Sequence, residues 1–370
     1  MHAISSSLNA KDSPRTWMLL GDKTGDNEQL RTLGRSLGWP IEEKHLHYTR
    51  AFRLPNVLLG ATRVSLAASS PSLSPPWPTI VLASGRRAVP VARWIRRRSL
   101  NRTRLVHLGR PRAPLRWFDV VIAPPHYGIP AAPNLLTVDL PLNALASERI
   151  DRDAAHWRSR VCAAAPPHLA LVVGGATKSI AFDADAATRL GKTVSALARR
   201  EGMSVLATTS RRTPLDAVEA LARNLTVPHV LHRWEAAGTD NPYAAFLGLA
   251  ERIVVTGDSA SMIAEACRTG KPVTVVPPRQ LDVAGWLERR VRGTVLATPL
   301  RRIGLCNGRP DMNMLIRRLA DKGRVSVLGG ADSAAASKPP RDELLAIADR
   351  VRSLVLRGSG SFMDTATAAR

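Results

Sequence analysis

A chain of 370 residues, at roughly 150 residues per domain, is long enough for two separate cores. Lys and Arg total 53 against 30 Asp and Glu, a formal charge of +23, while 45% of residues are apolar, which excludes a disordered polycation and describes a folded, basic protein. Such a field favours phosphate-bearing ligands, nucleic acid or an anionic membrane surface without choosing among them.

The chain opens with Met1 to Arg15, a polar stretch. No run of eighteen uncharged apolar residues follows, so neither a secretory signal nor a membrane span is expected. A transit-peptide reading of the Ser-rich start is opposed by Asp12 and the short length. Trp17 to Leu20 reads as a strand, Gly21 to Gln29 as a glycine loop, and Leu30, Leu33 and Leu37 as one face of a helix. After the proline-rich Pro71 to Pro78, short apolar runs at Thr79 to Ala83, Arg104 to Leu108 and Asp119 to Ala123 read as buried parallel strands. Ala88, Val91, Ala92 and Ile95 share a helix face between the first two runs, and Leu135 to Leu140 reads as the last strand of this half.

The second half repeats this order. Strands are expected at His168 to Val173, Ser204 to Thr208, His229 to Leu231, Arg252 to Thr256 and Val273 to Val276. Helices are expected at Ala186 to Arg200, Leu215 to Arg223 and Tyr243 to Leu249, with another after Ser261. Residues 325–340 read as a linker and Asp342 to Leu356 as a terminal amphipathic helix. The expectation is an α/β protein with two doubly wound, Rossmann-like domains at 1–150 and 151–335, a helix at 336–357 packing back, and a frayed tail at 358–370. Ligands of such sheets sit outside the carboxyl ends of the strands, so the loops after strands are the functional candidates.

Gly21, Asp22, Lys23, Gly25 and Asp26 crowd carboxylates around a cation in a flexible loop that is neither a Walker loop nor a GxGxxG fingerprint. Asp26 suits a base for an attacking hydroxyl, and the same spacing suits a helix start capped by Asp26 or Asn27. Gly174, Gly175 and Lys178 offer exposed amides and a charge for a diphosphate, or an ordinary turn. Arg212, after the next strand, suits phosphate oxygens or a solvated turn. The run Gly257-Asp258-Ser259-Ala260-Ser261-Met262 opens a helix whose amides near Ser259 to Met262 suit an anion, and Glu265 lies one turn on, within reach of a ribose; capping by Ser259 or Asp258 is the plainer reading. His126, in Pro124-Pro-His-Tyr127, suits acceptor binding, proton transfer or simple packing.

Arg86 to Arg116 holds eleven arginines and no carboxylate, a pattern compatible with an anionic lipid surface or a solvated helix face. Aromatic content of 4% argues against a nucleic-acid partner. Cys162, Cys267 and Cys306 are far apart, so neither disulfides nor structural zinc is expected and a reducing cytosol is the simplest compartment.

Together, Gly21-Asp-Lys-Thr-Gly-Asp-Asn-Glu-Gln29, Pro124-Pro-His-Tyr127, Gly174-Gly-Ala-Thr-Lys178, Thr209-Ser-Arg-Arg-Thr-Pro214, Asn241-Pro-Tyr243 and Thr256-Gly-Asp-Ser-Ala-Ser-Met262 resemble the mitochondrial fission, or elongated-mitochondria, family. More distantly the chain is similar to GT-B glycosyltransferases such as lipid A disaccharide synthase, whose first loop, Gly-Glu-x-Ser-Gly-Asp, resembles Gly21-Asp-Lys-Thr-Gly-Asp26. Gly174, Gly175, Ser259, Ser261 and Glu265 match by position the GT-B residues for diphosphate and ribose, and no clear base-binding signature accompanies them.

The resemblance implies two domains facing across a cleft and transfer of a sugar from a nucleotide diphosphate to a lipid or glycan acceptor. Lys178 and Arg212 would steady the leaving diphosphate, so neither a metal nor a bound cofactor is expected. The protein would be cytoplasmic, with peripheral contact at the inner face of the cell membrane. Two other readings are a non-catalytic membrane adaptor, for which Asp26 and Glu265 would be dispensable, and a sugar-nucleotide epimerase.

Overall fold

The computed structural model describes residues 13–143, 145–236, 240–281, 289–290, 294–305, 309–329 and 343–359. The transit-peptide reading of the first residues, most of the expected linker and the tail beyond Ser359 lie outside them. The described residues divide into two compact units, one within Met1–Leu142, Gly285–Gly308 and Asp342–Arg370, the other within Asn143–Ala284 and Arg309–Arg341.

In the first unit β1 (Thr16–Leu20), α1 (Thr24–Leu37), β2 (Ile41–His45), α2 (Asn56–Leu59), β3 (Ile80–Ser84), α3 (Gly85–Arg98), β4 (Arg104–Leu108), β5 (Val120–Ala123) and β6 (Leu135–Thr137) build a parallel sheet in the order β2-β1-β3-β4-β5-β6. Later segments add α9 (Ala297–Arg302) and α11 (Glu343–Ser359). Alternation along β1 explains why its whole run is apolar: Met18 and Leu20 face a core shared with α1 and α11, whereas Trp17 and Leu19 face one shared with α3. Ile347, Ala348, Val351 and Val355 of α11 complete the first of these cores, while Leu345 on the same amphipathic run is 52% exposed. Gly38, in the left-handed region with φ 69°, ends α1 by turning its N–H back to Arg35 O.

The second unit comprises α4 (Ser147–Trp157), β7 (His168–Val172), β8 (Ile180–Ala181), α5 (Ala184–Arg200), β9 (Ser204–Thr208), α6 (Leu215–Asn224), β10 (His229–His232), α7 (Tyr243–Leu249), β11 (Arg252–Thr256), α8 (Ala260–Arg268), β12 (Val273–Val276), β13 (Arg279–Gln280), α10 (Met312–Asp321) and β14 (Ser326–Val327). Its six-stranded sheet runs β10-β9-β7-β11-β12-β14, every pair parallel, and β8 pairs antiparallel with β13 beside it. Each unit is thus a doubly wound α/β sheet, as the repeated strand and helix pattern implies. The strand order reverses between β1 and β3 in the first sheet and between β7 and β11 in the second, the kind of point outside which doubly wound sheets generally take their ligands.

Several boundaries differ from expectation. The division falls after Leu142 rather than near Asp151, because α4 packs on α7, where Trp157 meets Phe246 edge-on at 6.0 Å. The described residues 289–290 and 294–305 belong with the first unit and not with the second. The strand expected to reach Leu140 stops at Thr137. β2, Ile-Glu-Glu-Lys-His, is an edge strand whose polar side chains hide it from a hydrophobic pattern, and β14 occupies part of the expected linker by pairing with β12.

Candidate functional site

Two groups of loops stand at the carboxyl ends of the two sheets. In the first unit Gly21 leaves β1 and is clamped by Asn27, whose Oδ1 accepts from the Gly21 N–H at 3.0 Å while its Nδ2 donates to the Gly21 carbonyl at 2.8 Å. The helix starts at Thr24 with Lys23 as its cap residue and no side-chain cap, so neither Asp26 nor Asn27 caps it, and Gly25 lies inside its first turn. Asp22 points outward to an ion pair with Arg87 at 2.6 Å, and Lys23 Nζ lies 3.8 Å from Asp26 Oδ2. Burial raises the pKa of Asp26 above the ordinary aspartate value, with Lys23 offsetting part of the rise. A side chain at Gly85 would reach within 3.4 Å of Asp26 Oδ2, which places the carboxylate at the start of α3, beside the point where strand order reverses.

Asp26 also acts on Tyr127. The Tyr127 phenol is pushed up to about 12, first by burial and then by the Asp26 charge. His126 is 2% exposed and stacks on Tyr127 with ring centroids 4.5 Å apart, so of the two rings Tyr127 is the more accessible. The structure therefore brings Asp26 and the 126–127 turn together at the carboxyl end of the first sheet and stacks His126 against Tyr127.

In the second unit the loops are knotted by one carboxylate. The Asp258 side chain is 4% exposed. It accepts from the Gly175 N–H at 3.1 Å and from the Thr256 hydroxyl at 2.6 Å, and it pairs with Arg212 at 2.7 Å. Thr256 Oγ1 accepts in turn from the Gly174 N–H at 2.7 Å, and the Ser210 hydroxyl donates to the Gly174 carbonyl at 2.8 Å. No side chain fits at Gly174 or Gly175: a Cβ would lie 2.1 Å from Asp258 Oδ2 at the first and 2.1 Å from the Arg212 carbonyl at the second. Three loops, after β7, β9 and β11, are drawn together in this way.

These contacts alter the expected roles. Ser259 caps α8 by accepting from the Met262 N–H at 3.4 Å, so the Met262 amide is committed to the cap and not offered to an anion. The amides of Ala260 and Ser261 remain without intrahelical partners, as at any helix start. Arg212 is partly neutralised by Asp258, whereas Lys178 is exposed and makes no ion pair among the described residues. Glu265 accepts from the Tyr243 hydroxyl at 2.5 Å. Burial raises the pKa of that phenol, and Glu265 adds to the rise.

Asp258, Tyr243 and Tyr127 carry more of the geometry than their sequence reading assigns. The signal was present in Thr256-Gly-Asp-Ser, Asn241-Pro-Tyr243 and Pro124-Pro-His-Tyr127, but only contacts distant in sequence show what each residue holds.

The arginines of α3 divide by role. Arg96 donates to Trp117 O and pairs with Asp119, Arg93 lies 3.5 Å over the Trp117 ring, and Arg97 and Arg98 are exposed. Among the described residues no group of three His, Cys, Asp or Glu side chains is placed to hold a metal, and no helix is long and apolar enough to cross a membrane.

A family model described as Mitochondrial fission ELM1 matches residues 24–354. The Mitochondrial fission protein ELM1 of Arabidopsis thaliana is 28% identical over 221 residues, covering 54% of this chain and 51% of the relative, so the alignment spans about half the plant protein. The uncharacterized protein RP120 of Rickettsia prowazekii is 25% identical over 295 residues, covering 71% of this chain and 83% of the relative. Among solved structures, the UDP-GlcNAc 2-epimerase from Methanocaldococcus jannaschii aligns with a TM-score of 0.48 at 14% identity, over 92% of this chain and 99% of the other. MurG from Acinetobacter baumannii aligns with a TM-score of 0.44 at 15% identity, over 94% of each chain. Since the family match extends from α1 into α11, the chain belongs to the Mitochondrial fission ELM1 family.

Proposed function

We propose that the protein is a glycosyltransferase-like enzyme that moves a sugar from a nucleotide diphosphate to a lipid or glycan hydroxyl without a metal. The observation that carries this reading is the convergence, where the second sheet reverses its strand order, of the Gly174-Gly175 turn, Arg212 and the start of α8 around the buried Asp258. A diphosphate seated there meets the helix start, Lys178 and the guanidinium of Arg212. The helix dipole contributes about 0.3–1 kcal/mol, and charge-assisted hydrogen bonds add orientation. Glu265, oriented by Tyr243, takes the ribose hydroxyls.

On the first unit Asp26 takes the proton of the acceptor hydroxyl. A carboxylate whose pKa is raised by burial is a better proton acceptor than an ordinary one, and the nearby Lys23 charge favours its ionised form. Peripheral contact with an anionic membrane is supported by Leu54, Leu58 and Val64, exposed by 51%, 73% and 64%, interspersed with the exposed Arg50, Arg53 and Arg63.

Thermal melting with UDP, GDP and UDP-GlcNAc in the presence of EDTA tests the donor site. At least one nucleotide diphosphate should raise the melting temperature, with a stabilisation of about 2.7 kcal/mol at a hundredfold excess over Kd, and Glu265→Ala and Lys178→Ala should lose the effect. No shift from any of them favours the adaptor. Conversion of the sugar nucleotide without a glycosylated acceptor favours the epimerase.

A further inference from the structure

The loop after β4 is held in a conformation that its sequence does not favour. Arg112 has φ 50°, in the left-handed region that disfavours any side chain. The buried Asn56 holds it there, donating from Nδ2 to Pro111 O at 3.0 Å and to Arg112 O at 3.3 Å. Gly304, just beyond α9, lies directly against the Arg112–Ala113 peptide.

This loop forms one side of a cavity of about 230 Å³ within the first unit. Arg110, Arg112, Arg116, Arg301 and Arg302 line it together with Ile129, Pro130 and Pro133, and no carboxylate is among its described lining residues. Two of these cations are also felt outside the cavity: after burial, Arg112 and then Arg87 depress the pKa of Arg86, and Arg96 and then Arg116 depress that of Arg93. Five guanidinium groups around one apolar-walled cavity, with a backbone strain that places one of them, match an anion with a hydrophobic portion.

We propose that this cavity binds a phosphate ester carrying an apolar chain, its phosphate held by Arg112, Arg301 and Arg302 and its chain along the Ile129–Pro133 wall. This deepens the transferase reading, on which it rests for its biological sense, by making the acceptor an amphipathic phosphate ester.

The test is isothermal titration of the full chain, without nucleotide, using dodecyl phosphate below its micellar concentration, inorganic phosphate and dodecyl maltoside. Dodecyl phosphate should bind saturably at one site and more tightly than either control. Arg112→Gly and the double variant Arg301→Gln/Arg302→Gln should each weaken it by about tenfold or more, the loss of a charge-assisted hydrogen bond. Because glycine relaxes the positive φ, Arg112→Gly should melt no lower than the wild type, which separates loss of ligand from loss of fold.

Absence of saturable binding overturns the proposal, as does unchanged affinity in both variants. Equal affinity for inorganic phosphate overturns the apolar chain, and equal affinity for dodecyl maltoside overturns the phosphate. If dodecyl phosphate binds while no nucleotide does, the transferase reading fails and the cavity assignment stands; the reverse result sinks the cavity alone.

Discussion

The loop after β1 and the loop after β7 look alike in sequence, each a strand that runs into glycine and then a lysine, yet they are held in opposite ways. The first is clamped locally, Asn27 reaching back six residues to Gly21, and its carboxylates differ from the second loop's, Asp22 being 62% exposed and Asp26 only partly buried, at 32% exposed. The second is held from afar, by a carboxylate 83 residues away that is almost fully buried and ties three loops at once. A local clamp lets a loop vary its side chains and keep a reactive group, whereas a shared knot makes each member depend on the others.

The strongest way to break this contrast is to put a methyl group on each glycine. Gly174→Ala should destabilise the protein by about 3 kcal/mol, since its Cβ collides with the Asp258 carboxylate and ejects it. Gly21→Ala, whose Cβ makes an ordinary 3.6 Å contact with Tyr48, should change stability by about 0.5 kcal/mol or less in the same urea titration. Asp258→Ala comes next, costing about 2 kcal/mol by stranding the Gly175 N–H and the Arg212 charge. The double variant Gly174→Ala/Asp258→Ala should resemble Asp258→Ala alone, because the collision disappears with the carboxylate; a cost equal to the sum of the two singles removes the knot from the account.

A smaller loss, about 1.5 kcal/mol, is expected for Tyr243→Phe, which removes the hydroxyl that donates to the Glu265 carboxylate. If Glu265 serves the ribose, this variant should also weaken nucleotide affinity, measured as a reduced thermal shift.

The smallest stability effect belongs to the first loop and depends on pH. The folded Asp26 carboxyl holds its proton more tightly than an unfolded aspartate near 3.8. Between the two values the folded state binds more protons than the unfolded one, so this group's contribution to stability falls as pH rises through that interval. Asp26→Asn should remove that fall and raise the melting temperature at pH 7, while lowering transfer by about 10²-fold or more if Asp26 is the base. A pH–melting curve that is the same in both proteins removes the buried charge from the account.

Much of the fold was legible because buried parallel strands are continuous apolar runs and their covering helices carry a single apolar face. The strands at Ser204 to Thr208 and Arg252 to Thr256 and the helix at Tyr243 to Leu249 are found with the bounds their residues imply. β2 was not legible, since an edge strand needs no apolar pattern, and β14 is two residues long and exists through its pairing with β12. At the second sheet the cap at Ser259 was readable from Gly-Asp-Ser, but Arg212 read equally as a free phosphate ligand and as a solvated turn until its pairing with Asp258 was seen.

Local sequence by itself determined the class of the protein, two basic α/β sheets with their loops in order, because periodicity and turn chemistry act between residues a few positions apart. Tertiary structure alone decided that Asp258 faces Gly175, that Asp26 lies beside Gly85, and that Arg301 and Arg302 join a cavity built by residues almost two hundred positions earlier. Charge, burial and close approach are set by whichever groups the folded chain brings together, and no spacing along the chain encodes that distance.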